Sequence, residues 1–166
     1  MSSLQLNIQE QARSLVSLCI EKNITFGTAE SCTGGLISAS VTNISGASAA
    51  FFGGIVSYDN RVKAGVLGVK KETLSVYGPV SEETAGEMSC GARRVLDVDF
   101  AVAVTGYAGP AGGGTEDKPV GLVYISVSSY KKTIVTKNLF SGDREEVRLQ
   151  AVSKALALLA DEINSI

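Results

Sequence analysis

ITFGTAESCTGGLISASVT, running from Ile24 to Thr42, changes character halfway along. ITFGTAE reads as a short strand, SCTGG as a turn, and Leu36 to Thr42 as the helix that the turn feeds. A strand that ends in a glycine turn and passes into a helix is the building unit of an open α/β sheet. Ligands bind at that edge of such sheets, because helix N-termini present free N–H groups to anions. Gly34 and Gly35 let the backbone approach a ligand closely.

The flanking segments extend the same pattern. Upstream, Ala12, Leu15, Val16 and Cys19 recur at helical spacing and predict an amphipathic helix. Downstream, FFGGIVSY reads as a second buried strand and DNRVKAGVLG as a polar loop with a short helix. Ser81 is placed to cap a further helix, with Glu82 and Glu83 at the positive end of its dipole and Ala85, Met88, Ala92 and Val95 as its buried stripe. DFAVAVTG is a strand that enters the loop YAGPAGGGTEDKP, where Gly109, Pro110, Gly112, Gly113 and Gly114 exclude regular structure.

Val123, Ile125 and Val127 alternate with Tyr124, Ser126 and Ser128, the signature of a half-buried strand, and KKTIVTKNLF would pair with it antiparallel across the Ser129–Lys131 turn. Asp143-Arg144-Glu145-Glu146 opens a last helix with a capping-box start, Val147, Ala151, Val152, Ala155 and Leu159 facing inward. The whole predicts a three-layer α/β/α sandwich with a mixed sheet, a single domain over residues 1–166 without repeat or linker.

Bulk composition narrows the function. A formal charge of −2 lends no support to nucleic-acid binding, and five Phe, five Tyr and no Trp leave little for stacking bases. The N-terminus lacks the basic start and apolar run of a signal peptide. The stretch from Ser31 to Tyr58 has no charged residue, but its Ser, Thr, Asn and Gly content makes it a poor membrane span. Cys19, Cys32 and Cys90 are odd in number and lack metal-ligand spacing, and there is no histidine, so no metal site is expected. The chain reads as cytoplasmic and reduced.

Glu30, Ser31, Cys32 and Thr33 place three potential nucleophiles before the glycine pair, yet the commonest base for activating them is missing. The nearest charge to Cys32 is Glu30, which raises a thiol pKa, so Cys32 reads as a small buried hydrophobe. Ser31 and Thr33 are also suited to capping the helix. A serine without histidine can use lysine, whose pKa falls when burial disfavours the ammonium. GASAAFFGGIVSYDNRVK offers Ser48, Tyr58 and Lys63, with Lys63 about one helical turn beyond the end of Tyr58's strand. Ser31 sits at a strand-to-helix turn like a nucleophile elbow, whereas Ser48 belongs to the block that carries Tyr58 and Lys63. Thr105 and Gly106 end a strand and open the glycine-rich loop, whose N–H groups suit an oxyanion or phosphate. Arg144 at a helix start suits a phosphate, or simply pairs with a neighbouring acid.

TAESCTGG, GAS…VSYDNRVK, GPVSEET, TGYAGPAGGGTEDKPVG and FSGDREEVR occur in that order between Thr28 and Arg148. Together they resemble the C-terminal domain of the competence/damage-inducible protein CinA and its stand-alone versions, the nicotinamide mononucleotide amidases. The resemblance implies hydrolysis of the carboxamide of nicotinamide mononucleotide to nicotinate mononucleotide and ammonia, a salvage step of NAD metabolism. It implies a metal-independent serine–lysine mechanism with no cofactor, a small nucleotide substrate and a homodimer. Ser48 is favoured as nucleophile, Ser31 as a relay or carboxamide-binding group, and Lys63 helped by Tyr58 as base. Glu30, Thr33, Gly34, Thr105, Gly106, Gly109 and Arg144 would frame the substrate. Tyr107 stands where the family usually has a smaller aliphatic residue, and AGGG is one glycine long. A related amide as substrate, a thiol hydrolase using Cys32, and a nucleotide-binding module without catalysis are the alternative readings.

Overall fold

The computed structural model describes residues 1–111 and 114–166; Gly112 and Gly113 of the glycine-rich loop lie outside them. The described residues form α1 (Ser3–Lys22), β1 (Phe26–Glu30), α2 (Leu36–Thr42), a 3-10 turn (Ala47–Ala49), β2 (Phe51–Val56), α3 (Asn60–Gly65) and α4 (Lys71–Val76). They continue with α5 (Glu82–Leu96), β3 (Phe100–Gly106), β4 (Leu122–Ser128), β5 (Thr133–Leu139) and α6 (Arg144–Asn164). The sheet order is β2-β1-β3-β4-β5. β1 runs parallel to both β2 and β3, whereas β4 is antiparallel to β3 and to β5, so the sheet is mixed.

Strand alternation divides the interior into two cores. Phe100, Val102 and Val104 of β3 face the larger one, shared with Leu15 and Val16 of α1, Ile37 of α2 and Val152 and Leu156 of α6. Ala101 and Ala103 face the opposite side, where small residues let Met88 and Ala92 of α5 pack close to the sheet beside Leu67 and Val69. Ser81 caps α5 by accepting from the Thr84 N–H, and Asp143 and Glu146 form the capping box of α6.

Three local expectations are corrected. FFGGIVSY is an edge strand of the sheet, so β2 is not buried: among the described residues no strand pairs with its outer side, and Phe52 and Val56 are about half exposed. Val95 is exposed; the buried stripe of α5 continues from Ala92 not through Val95 but through half-buried Leu96, which packs against Gly27 of β1 and Gly53 of β2. β4 is buried on both faces, since Ser126 and Ser128 lie under α5 and the Ser126 hydroxyl is bonded to that of Ser89 at 2.7 Å. No helix among the described residues is long and apolar enough to cross a membrane.

Candidate active site

The turn after β1 is held from below by Glu30. Its side chain is fully buried, and its carboxylate accepts from the backbone N–H groups of Gly35 (3.0 Å), Ile37 (3.0 Å) and Ser38 (2.8 Å) and from the Ser38 hydroxyl (2.7 Å). A carboxylate thus occupies the positive end of α2, satisfying donors that helix geometry leaves free. Gly34 (φ +61°) and Gly35 (φ +99°) take left-handed conformations that other residues rarely adopt. Gly54 of neighbouring β2 leaves the space filled by the hydroxyls of Thr28 and Ser38. Neither Ser31 nor Thr33 caps α2; Glu30 does so from the end of the preceding strand.

Parallel pairing brings the ends of β1 and β2 to one edge. The Ser31 N–H donates to the Val104 carbonyl at 3.0 Å, and the Ser57 N–H donates to the Glu30 carbonyl at 2.7 Å. Asp59 then caps α3, accepting from the Arg61 N–H, and the first turn of that short helix aims Lys63 back toward the strand ends. Lys63 is only 1% exposed. Its Nζ lies 3.0 Å from Ser31 Oγ, 2.6 Å from the Ser57 carbonyl and 3.4 Å from the Tyr58 carbonyl. Burial pushes the Lys63 pKa down from 10.5 to about 8, against a weaker upward pull from Cys32 and Asp59. A neutral amine has two protons and one lone pair; the two carbonyls take the protons and leave the lone pair to Ser31.

Ser31 and Lys63 open on a cleft of about 190 Å³ with Thr105, Tyr107, Tyr58 and Arg144 on its walls. None of its described lining residues is acidic, so two cations face the space in a protein of net negative charge. Arg144 donates to the Gly109 carbonyl (2.7 Å) and to the Tyr58 hydroxyl (3.4 Å). Tyr58 therefore meets Lys63 through its backbone carbonyl, and its ring lies toward Arg144. The Thr105 hydroxyl donates to the Pro79 carbonyl at 2.7 Å, and the N–H of Tyr107 is committed to the Leu122 carbonyl. Cys32 also borders the cleft, but burial pushes its thiol up to about 11, which disfavours the reactive thiolate. Among the described residues no cluster of three or more Cys, Asp or Glu could hold a metal ion.

The structure brings Ser31, Tyr58, Lys63, Thr105, Gly106 and Arg144 to one cleft, with Gly109 beside it and Glu30, Thr33 and Gly34 shaping the turn beneath. It does not bring Ser48 there. Ser48 is exposed in the 3-10 turn before β2, where it borders a separate surface hollow with Ser45 and Phe51. β2 has six residues and spans about 20 Å, which puts Ser48 at the opposite edge of the sheet. Sequence reading missed Arg148, whose Nε and Nη2 donate to the carbonyls of Cys32 (3.0 Å) and Thr33 (2.9 Å). Its position one helical turn beyond Arg144 was the available signal.

Comparison with known proteins bears on the family and the fold. The family model described as the CinA C-terminal domain matches residues 8–163. A protein of Clostridioides difficile named "Putative competence-damage inducible protein" is 48% identical over 149 residues, covering 90% of this chain and 35% of that protein. A "CinA-like protein" of Leptospira interrogans is 50% identical over 153 residues, 92% of this chain and 36% of that protein. The chain thus spans about a third of the length of these curated relatives. The crystal structure of "competence/damage inducible protein CihA" from Agrobacterium tumefaciens superposes with a TM-score of 0.91 at 41% identity, covering 95% of this chain and 96% of that one. A CinA superfamily structure from Escherichia coli gives 0.88 at 33% identity, covering 96% and 92%.

Proposed function

The chain belongs to the CinA C-terminal domain family, and from that premise we propose that it hydrolyses the carboxamide of nicotinamide mononucleotide to nicotinate mononucleotide and ammonia, with Ser31 as nucleophile and Lys63 as base. The observation that carries this reading is the Lys63 amine, buried, shifted to a pKa of about 8 and 3.0 Å from the Ser31 hydroxyl. A lysine tuned near the working pH can take a proton from a serine and return it within one cycle.

The Ser31 proton passes to Lys63 Nζ as Oγ bonds to the amide carbon, and the carbonyl oxygen becomes a tetrahedral oxyanion. That oxyanion collapses, the C–N bond breaks, and Lys63 gives its proton to the leaving nitrogen, which departs as ammonia. Water then attacks the nicotinyl ester of Ser31, giving a proton to Lys63, which hands it to Ser31 Oγ as the acid is released. Tyr58 helps by fixing Lys63 through its carbonyl. Arg144 supplies a positive charge for the nucleotide phosphate at the rim, in a cleft whose described walls are free of carboxylates.

The test is release of ammonia and nicotinate mononucleotide from nicotinamide mononucleotide, with chelator present and with Ser31→Ala and Lys63→Ala in parallel. Release that survives chelator and is lost in both variants supports the reading. No release from folded protein, or full activity in either variant, would overturn it.

A further inference from the structure

Ser31 to Gly34 form a closed turn, with the Gly34 N–H donating to the Ser31 carbonyl at 3.1 Å. The two central N–H groups, those of Cys32 and Thr33, donate to no other residue among the described ones, and the Cys32 N–H meets only its own sulfur. Both residues are buried, at 6% and 0% exposure, and buried backbone donors are rarely left unpaired. The Thr33 hydroxyl is a further buried group without a partner among the described residues. The cleft beside Cys32 is therefore bordered by donor capacity that the folded chain leaves unused.

Arg148 lies on the outer side of this turn. Its guanidinium bridges the carbonyls of Cys32 and Thr33 from α6, two planar bonds at 3.0 and 2.9 Å. In a planar trans peptide the N–H points opposite to the C=O, so holding the Cys32 carbonyl toward α6 turns the Thr33 N–H away from it. The Ser31 carbonyl, held inside the turn by Gly34, sets the Cys32 N–H in the same way. We infer that Arg148 is a positioning residue: it locks the Cys32–Thr33 and Thr33–Gly34 peptides, and through the Gly34 N–H that holds the Ser31 carbonyl it sets the Cys32 N–H ready to bind the oxyanion. The residue after the nucleophile supplies such a donor in strand-to-helix nucleophile turns generally. Glu30 fixes the inner end of the turn and Arg148 the outer, so the donor is set before substrate arrives.

The inference rests on Ser31 being the nucleophile, and two readouts separate its failure from that of the amidase reading. The first is kcat and KM for nicotinamide mononucleotide. The second is the rate at which a fluorophosphonate labels Ser31, with Ser31→Ala as control; that reaction also develops charge on an oxygen but needs no amide substrate. In Arg148→Ala, kcat and the labelling rate should each fall about 10- to 100-fold, while KM stays within about twofold. Added guanidinium ion should restore part of the loss, and the midpoint of the pH–rate profile should not move. Arg148→Lys, which keeps the charge but can reach one carbonyl, should fall between the two and serves if the alanine variant does not fold. Labelling within twofold of wild type in a folded Arg148 variant would overturn the proposal, as would a rise in KM alone. A wild-type protein that labels at Ser31 but releases no ammonia refutes the amidase reading and leaves the labelling arm to decide on Arg148. One that does not label at all refutes the inference.

Discussion

Ser31 and Lys63 are separated by 32 positions in the chain and by 3.0 Å between Oγ and Nζ. The contact is made by the crossover from β1 to β2, which returns the chain to the same sheet edge before α3 starts. If the pair is the catalytic unit, Ser31→Ala and Lys63→Ala should each lower kcat by at least about 10³-fold, and the double variant should be no worse than either single one. Ser48→Ala should stay within about twofold. Ammonia-release kinetics on the four variants and the wild type decide this; a large loss in Ser48→Ala alone would move the nucleophile to the other edge.

The base must be neutral to act, and its pKa has come down from 10.5 to about 8. The rate kcat/KM should therefore rise about tenfold per pH unit below 8 and level off above it. Lys63→Arg should remove that limb, since a guanidinium stays charged throughout. Rates between pH 6 and 9.5 check both statements.

The same shift has a stability sign. Between about 8 and 10.5 the unfolded chain binds the proton that the folded chain has released, so this group's contribution to stability rises with pH across that window. Below 8 the buried ammonium opposes folding by about 3 kcal/mol. Lys63→Met removes that opposition but leaves the Ser57 and Tyr58 carbonyls without their donor. The expected net effect is a Tm higher by about 3–6 °C at pH 7, a gain that turns into a small loss near pH 10, where the unpaired carbonyls outweigh what is left of the penalty. Thermal unfolding at the two pH values gives the answer, and a lower Tm at pH 7 would contradict it.

Glu30→Gln keeps one acceptor oxygen and turns an amide donor toward the N–H groups at the start of α2. Loss of the charge and of part of its bonding should cost about 2–3 kcal/mol, read from the denaturation midpoint. Turnover should fall as well, because Ser31 is the next residue along the chain. A neutral effect on stability would mean that water replaces the carboxylate without loss.

Arg144→Ala should raise KM for nicotinamide mononucleotide about tenfold with kcat within about threefold, the pattern of lost uniform binding. Nicotinamide riboside lacks the phosphate, so its kinetics should be the same in both proteins. An equal KM effect on the riboside would assign Arg144 to the shape of the Gly109 loop instead.

Local patterns in the chain carried far. Ser81 and the Asp143–Glu146 box cap the helices they were expected to cap, and the strand-to-helix turn falls where the glycine pair indicated. Such features depend on neighbours within a few residues, which a sequence displays directly. The role of Glu30 was hidden because its partners are the backbone N–H groups of Gly35, Ile37 and Ser38, which every residue except proline provides. Ser48 is favoured by its closeness in sequence to Tyr58 and Lys63 and by the family resemblance, yet a strand lies between it and them. A residue before a strand and a residue after it emerge at opposite edges, so sequence distance was the wrong measure. The exposure of β2 depended on strand order, which no single segment encodes.

That polarity also divides the labour of the chain. The turn from Thr42 to Ala50, with Ser48 at its surface, sits at the edge away from the cleft. Its buried residues Ile44, Ala47 and Ala50 anchor it to the core, and none of its residues lines the cleft. It is the stretch that can drift, lengthen or carry a grafted peptide while turnover continues unchanged, a handle that evolution and the protein engineer can both grasp.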